Sequence, residues 1–172
     1  NVKGKPSLSL APILNDNDYK IEFLDRSASV TMILFNANHL LGKSRQFRRA
    51  IDLAIDRKSL VKNIPSYVPA SELLPSHMWG RLGMYEDQNI AEARKIISKV
   101  SGGKQLHIKV PVFNSDINDP RKKWYLLELR KQLQKIGIKV TLFADPTKFY
   151  EHSDDKYAMR IVSLGADVAD PL

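Results

Sequence analysis

Two aspartates near the carboxyl end of the sequence are the side chains best placed to bind a charged ligand. Asp167 and Asp170 lie in the segment VSLGADVADPL, where they follow an apolar run and a glycine. A parallel strand that ends in small residues and acids places those acids at the carboxyl edge of its sheet, where open α/β folds bind ligands. Asp167 would then bind an ammonium group. The other interpretation is that both aspartates form turns, as Asp beside Gly or Pro often does.

No other group of side chains predicts catalysis or a metal site. The chain has no cysteine, and its four histidines lack the i, i+4 spacing of a helical metal pair. His39 and His77 fall in predicted loops and stay candidates for a ligand contact, whereas His107 is predicted to face solvent. Asp52 and Asp56 lie in an arginine-rich helix, which predicts surface ion pairs. We therefore expect no catalytic residue, no metal and no cofactor.

The elements that must position Asp167 alternate between strands and helices. Alternating apolar residues predict strands over 7–12, 19–25, 29–36, 105–113, 138–143 and 157–164. Helices are predicted over 45–64, with Ser44 as N-cap, and over 89–103 and 120–136, with a short helix around Phe149 and Tyr150 and a long ordered loop over 66–85. This order predicts an α/β fold with a mixed, largely parallel sheet flanked by helices, in which early strands add antiparallel partners. The 172 residues fit one domain, 1–172.

The positive charge of the chain raises the question of an anionic partner. The net charge is +8 and the pI is about 9.6. In the helix 120–136, Lys123, Arg130 and Lys131 surround a leucine-rich apolar face, a pattern typical of an amphipathic helix with a solvated basic side. No nucleic-acid-binding motif accompanies these cations. We therefore expect no nucleic acid as a partner, with DNA binding by this helix kept as a rival hypothesis.

Three segments, in order and in register, resemble one protein family. RQFRRAIDLAIDRKSLV resembles the helix V-R-x-A-I-x-x-A-I-D-R-x-x-I-V of the extracytoplasmic solute-binding proteins of ABC importers, in the class that carries oligopeptides, dipeptides and nickel. MYEDQNIAEARKIISKV is similar to that family's tyrosine, acidic helix start and A-x-x-L-L segment. LRKQLQKIGIKVTLF and YAMRIVSLGADVADP are similar to its L-x-x-Q-L-x-x-I-G-I-x-V-x-L and to the strand that leads into W-x-A-D-Y-P-D-P.

The resemblance implies a fold of two lobes joined by a hinge, which clamp a ligand between them. This chain resembles most of the second, late-inserted lobe of that periplasmic-binding-protein-like fold. The first lobe and a signal peptide are then expected upstream, with further chain after Leu172. We accordingly expect a periplasmic or extracytoplasmic protein, with lipid anchoring as one form. Its implied partners are a peptide or similar small solute, the ABC permease in the membrane, and the first lobe of the same protein.

The same resemblance implies which residues touch the ligand. Asp167 matches the aspartate that receives the α-ammonium group of a peptide, and Asp170 matches an acid expected to be structural at the turn. Leu164, Gly165 and Ala166 lead into Asp167 and are expected to line the ligand site. Leu164 stands where the family has tryptophan, so the aromatic wall beside the ligand is thinner in this chain.

The sequence therefore predicts a protein that binds a peptide or similar solute and delivers it to an importer permease. The alternative is the solute-sensing lobe of a bacterial transcription regulator, because some regulators carry a similar lobe. An enzyme is the least favoured class, since no nucleophile, base or metal set is present in the pattern.

Overall fold

The structure, a computed structural model, describes residues 29–64, 67–72, 86–144 and 156–165. Its helices are α1 (Leu40–Lys43), α2 (Arg45–Ala54), α3 (Arg57–Val61), α4 (Ile90–Ser101), α5 (Asn114–Asn118) and α6 (Pro120–Lys135). Its strands are β1 (Ser29–Phe35), β2 (Leu106–Val112), β3 (Ile138–Ala144) and β4 (Met159–Gly165). The strands predicted over 7–12 and 19–25, the helix around Phe149 and most of the loop 66–85 lie outside the described residues.

Two pairs of strands form the sheets of the described part. β2 and β3 are parallel, with Leu106 opposite Ile138, while β1 and β4 are antiparallel, with Ser29 opposite Gly165. β4 also contacts β2. The mixed α/β fold is confirmed, including an early strand that adds an antiparallel partner. The parallel pairing expected for the last strand is corrected, since β4 bonds to antiparallel β1; a period of two predicts a strand but not the direction of its neighbour.

One apolar core joins the two strand pairs. Along β2, Ile108 and Val110 are buried while His107 and Lys109 are exposed, which confirms the predicted solvent-facing position of His107. Helix α6 packs against β3, buries Leu126, Leu129 and Leu133, and keeps its basic side exposed, as predicted. The largest fully buried apolar side chains are Phe47, Ile51, Ile97, Leu126, Leu133, Ile136, Ile138, Met159 and Ile161.

Helix α2 begins at its predicted cap but ends ten residues before the predicted end at 64. The Ser44 hydroxyl accepts a hydrogen bond from the backbone N–H of Phe47 at 3.2 Å, which satisfies a donor that the first turn leaves open. The last residue of the helix is Ala54, and α3 starts anew at Arg57. The apolar period continues through this break, so the pattern alone predicts one helix.

Asp56 occupies the break and caps α3. Its carboxylate accepts hydrogen bonds from the backbone N–H of Ser59, at 3.2 Å, and from the Ser59 hydroxyl. These contacts lower the pKa of the Asp56 carboxyl. The hydrogen bond from the Ser59 hydroxyl is the largest cause, and burial acts in the opposite direction. The predicted surface ion pairs therefore hold for Asp52, which pairs with Arg49 and Arg57, whereas Asp56 serves as a helix cap.

Gln132 of α6 binds the backbone at this same break. Its Oε1 accepts from the N–H of Asp56 at 2.9 Å, and its Nε2 lies 3.3 Å from the Asp56 carbonyl oxygen, which accepts in return. Gln132 is 1% exposed, so the oxygen and the NH2 group of its side-chain amide are both removed from water and need these partners. Gln132 thus joins α6 to the end of α2.

The segment before α4 binds the last carbonyl groups of α2. The backbone N–H of Asn89 donates to the Leu53 carbonyl, and the Gln88 side-chain amide donates to the Ala54 carbonyl, each at 2.8 Å. The Asn89 side chain in turn caps α4, and Gly102 ends that helix at φ 62°, a left-handed conformation that suits glycine. Both ends of α4 match the predicted helix.

Two short helices, α1 and α5, were not predicted because four or five residues do not establish a helical period. α1 packs on the strand ends through Gly42, where an added Cβ would lie 2.1 Å from the Asn36 carbonyl oxygen and 2.5 Å from that of Ala158. Only glycine fits this approach. His39, a predicted loop residue, accepts the Leu41 N–H at 3.1 Å and caps α1.

Replacing Gln132 tests the junction between α2, α3 and α6. Gln132→Met keeps the length of the side chain but leaves the backbone N–H of Asp56 without its partner, whereas the Asp56 carbonyl keeps the hydrogen bond from the Leu60 N–H at 3.3 Å. Leaving this donor unpaired costs about 1–3 kcal/mol, so we expect the free energy of unfolding to fall by about 1–3 kcal/mol in urea titrations. The control is Gln134→Met, on the exposed side of the same helix, which should change stability by less than about 0.5 kcal/mol. Equal effects of the two substitutions would contradict the assigned role.

Candidate functional site

Only part of the predicted ligand site lies in the described residues. Leu164 and Gly165 are the last two residues of β4, with Val30 and Ser29 of β1 opposite them. Ala166 and Asp167 follow directly in the sequence and lie outside the described residues, as do Asp170 and His77. The expected contacts of Asp167 with an ammonium group therefore stay a prediction.

A cavity of about 400 Å³ opens beside the strand that pairs with these residues. Ser29 and Val30, the partners of Gly165 and Leu164, belong to its wall. The size falls within the range of small-molecule sites. The wall is formed by β1, α2, α3, the segment 67–72, α6 and β4, the last through Ile161. Its apolar side chains also include Ile33, Phe35, Ile51, Ile55, Leu60, Tyr67, Tyr125 and Leu129.

Polar groups lie at a few points of this apolar wall. Arg57 forms an ion pair with Asp52, and both line the cavity. Arg48 also lines it while its guanidinium donates to the carbonyl oxygens of Gly42, at 2.9 Å, and Lys43, at 2.8 Å. The Ser71 hydroxyl is buried and has no hydrogen-bond partner among the residues that the structure describes. The arrangement can hold an apolar group and offer a hydrogen bond to a polar one.

A buried carboxylate fixes the position of Tyr125 beside the cavity. Asp116 is 2% exposed, and its Oδ1 accepts a hydrogen bond from Lys122 Nζ at 2.6 Å. The Tyr125 hydroxyl lies 3.5 Å from the other carboxylate oxygen. Removing Lys122 would leave the buried charge of Asp116 without its ion-pair partner, which is strongly unfavourable. The sequence pattern gave no signal for this buried cluster of Asp116, Lys122 and Tyr125. The cluster depends on the short helix α5, which was not predicted.

The pKa values of Lys122 and Tyr125 both rise in this setting. Burial lowers the pKa of the Lys122 ammonium, but the hydrogen bond and the charge of Asp116 raise it by more. Burial is the largest cause of the raised pKa of Tyr125, followed by the Asp116 charge. Tyr125 is thus a neutral wall residue at physiological pH, without the properties of a catalytic base.

The described residues contain no group of three or more His, Cys, Asp or Glu side chains arranged to hold a metal ion. A helix with the length and hydropathy needed to span a bilayer is also missing from the described part. The site that the described residues do form is therefore the apolar cavity beside β1 and the adjoining end of β4.

The fold is that of solved solute-binding proteins. The chain is similar to the ABC transporter substrate-binding protein CtaP of Listeria monocytogenes, at 25% identity over 85% of this chain and 31% of that one, with a TM-score of 0.67. It also matches NikZ of Campylobacter jejuni, solved with Ni(L-His), at 22% identity over 94% of this chain and 34% of that one, with a TM-score of 0.67. A third match is DppA of Helicobacter pylori, solved with the peptide STSA, at 19% identity over 97% of this chain and 33% of that one, with a TM-score of 0.65.

The chain spans about a third of the length of these proteins. Residues 3–172 match the family of bacterial extracellular solute-binding proteins, family 5 (middle region), and the chain belongs to that family. No curated protein sequence matches it. The resemblance found in the three sequence segments is confirmed, and members of this class are binding proteins of ABC transporters.

Replacing Tyr125 tests the buried cluster through its pH dependence. A raised pKa means that the unfolded chain loses the phenolic proton first, so stability falls as pH rises above the ordinary value of 10.0. We expect Tyr125→Phe to lose less free energy of unfolding than the wild type between about pH 9 and about pH 11, measured by urea titration. The half-buried Tyr157 gives the control, Tyr157→Phe. Parallel losses in the wild type and Tyr125→Phe would contradict the assignment.

Proposed function

We propose that this protein binds a peptide or similar small solute between two lobes and delivers it to the membrane permease of an ABC importer. The chain supplies most of the second lobe in this proposal, and the first lobe closes over the solute. Family membership over residues 3–172 is the observation that carries the proposal. Solute bound to both lobes favours the closed form, and the permease recognises that form, so binding acts by shifting a population.

Asp167 is the proposed partner of the α-ammonium group of a peptide. It lies two residues after Gly165, the end of β4, and Gly165 pairs with Ser29 on the cavity wall. A carboxylate is well suited to an ammonium group, because charge-assisted hydrogen bonds are about twice as strong as neutral ones. Backbone hydrogen bonds would supply much of the remaining affinity, as in other modes of extended-peptide binding.

The cavity beside β1 is the proposed pocket for an apolar side chain of the solute. Its wall is formed largely by aliphatic and aromatic residues, and its volume of about 400 Å³ exceeds that of any single side chain. A large apolar group that enters it removes surface from water at about 25 cal/mol per Å². The proposal therefore favours peptides that carry at least one large apolar residue.

The role of Asp167 is tested in the full-length protein by calorimetry with a tripeptide and its N-acetylated form. Asp167→Ala should weaken binding of the free tripeptide by about 2–4 kcal/mol, because an ammonium group would lose a buried partner. Acetylation should weaken wild-type binding strongly and leave Asp167→Ala nearly unaffected. Asp87→Ala, which removes an exposed aspartate before α4, is the matched control and should bind as the wild type does. Unchanged affinity of Asp167→Ala would remove this residue from the site.

The role of the cavity is tested by filling it from the surface. Ala70 lines the cavity from the segment 67–72, and Ala70→Trp places a large ring there without removing a core side chain. We expect the variant to bind a phenylalanine-containing tripeptide about tenfold or more weakly, which corresponds to about 1.4 kcal/mol, while triglycine binding changes by less than about twofold. Equal loss for both peptides would show that the cavity does not select apolar side chains.

A further inference from the structure

The positive charge of the chain is concentrated in two segments that contain no acid. Residues 93–115 and 129–144 hold nine Lys and Arg and not one Asp or Glu. The whole chain has 27 Lys and Arg against 19 Asp and Glu, so taking away these nine leaves 18 cations against 19 acids elsewhere. The net charge of +8 is thus a property of these segments.

The fold brings the two segments together around the amino ends of the parallel strands. α4 leads into β2 and α6 leads into β3, and the amino ends of the two strands are neighbours, with Leu106 opposite Ile138. The Leu106 N–H donates to the Gly137 carbonyl at 3.1 Å, which joins the two turns. The Arg94 guanidinium donates to the Lys135 carbonyl at 2.8 Å, which joins α4 to the end of α6. These contacts hold the two segments against each other, and their exposed cations are together called the basic end here.

Every cation of the basic end is exposed. Its members are Arg94, Lys95, Lys99, Lys104, Lys109, Arg130, Lys131, Lys135 and Lys139. Within the described residues, Lys131 is the one member that lies within ion-pair distance of a carboxylate, with its Nζ 3.7 Å from Glu128. None of the nine lines the cavity beside β1. In the part of the chain that the structure describes, eight of the nine cations therefore have no carboxylate within ion-pair distance, and all nine lie outside the candidate solute site.

We propose that the basic end docks on an anionic phospholipid bilayer. Two observations favour lipid phosphates over a folded protein partner. First, seven of the nine cations are lysines, which are flexible, strongly hydrated point charges suited to diffuse anionic surfaces. Second, the large apolar side chains that are exposed in the described residues, Leu34, Leu40 and Val68, all lie outside these segments, whereas stable protein interfaces centre on buried aromatic or aliphatic anchors.

Docking of this kind concentrates the protein near a membrane without inserting into it. Basic residues close to an anionic bilayer each add to the attraction, and the attraction decays within a Debye length of about 10 Å at 0.1 M salt. A solute-binding protein held in this way would meet a membrane permease by diffusion over a surface. The solute site would remain open to solution, because the cations of the basic end do not contribute to it.

The test measures how the full-length protein, prepared without lipid modification, sediments with vesicles. Phosphatidylcholine vesicles containing about 30% phosphatidylglycerol are compared with pure phosphatidylcholine vesicles at about 0.05 M and about 0.5 M salt. The basic-end variant carries Lys99→Gln, Lys104→Gln, Lys135→Gln and Lys139→Gln. The control variant loses the same charge at exposed lysines elsewhere, through Lys43→Gln, Lys58→Gln, Lys62→Gln and Lys123→Gln.

We expect the wild type to sediment with the anionic vesicles at low salt and to dissociate from them at high salt. It should not bind the neutral vesicles at either salt concentration. The basic-end variant should bind at least about tenfold more weakly, with the control variant within about threefold of the wild type. Far-ultraviolet circular dichroism and unchanged solute binding confirm that each variant is folded. Equal losses in both variants would assign the effect to total charge and overturn the proposal. So would failure of the wild type to bind vesicles while it binds an acidic polypeptide or duplex DNA.

Discussion

The structure depends on the hydrogen bonds at the carboxyl end of helix α2, where the segment before α4 and helix α6 both bind. A helix ends with carbonyl groups that have no partner in the helix, and here those groups are buried, so other segments must supply the donors. Asn89 and Gln88 bind the carbonyls of Leu53 and Ala54. Gln132 binds both backbone groups of Asp56. The three segments that resemble the family therefore meet at one helix end, which explains in physical terms why they occur together.

This junction also determines where the candidate site lies. α6 is fixed against the α2–α3 break by Gln132, and its preceding turns carry Tyr125 and Leu129 to the cavity wall. Asp116 then fixes Tyr125 from the other side through the buried carboxylate. β1 forms the remaining wall and pairs with the end of β4. A solute pocket between these elements needs each of them in its observed position. A shift of α6 by one turn would move its side chains by about 5.4 Å along the helix axis.

The sequence predicted the long elements well and the local departures poorly. The N-cap at Ser44 identified the start of α2, because this signal acts between neighbouring residues. The break at Asp56 was missed because the side chain that stabilises it, Gln132, lies 76 residues away in the chain. The direction of β4 and the cavity were missed for the same reason, since both depend on which strands become neighbours. The resemblance to a family identified the class of protein, which no pattern of charge or hydropathy could have done.

The most direct test of the account is a crystal structure of the full-length protein with a bound tripeptide that contains phenylalanine. The account predicts the peptide nitrogen within about 3 Å of a carboxylate oxygen of Asp167 and the phenylalanine ring against Tyr125 and Ile33. A peptide bound between the lobes with Asp167 turned away from its amino group, and with the cavity beside β1 filled by the protein's own chain, would contradict it.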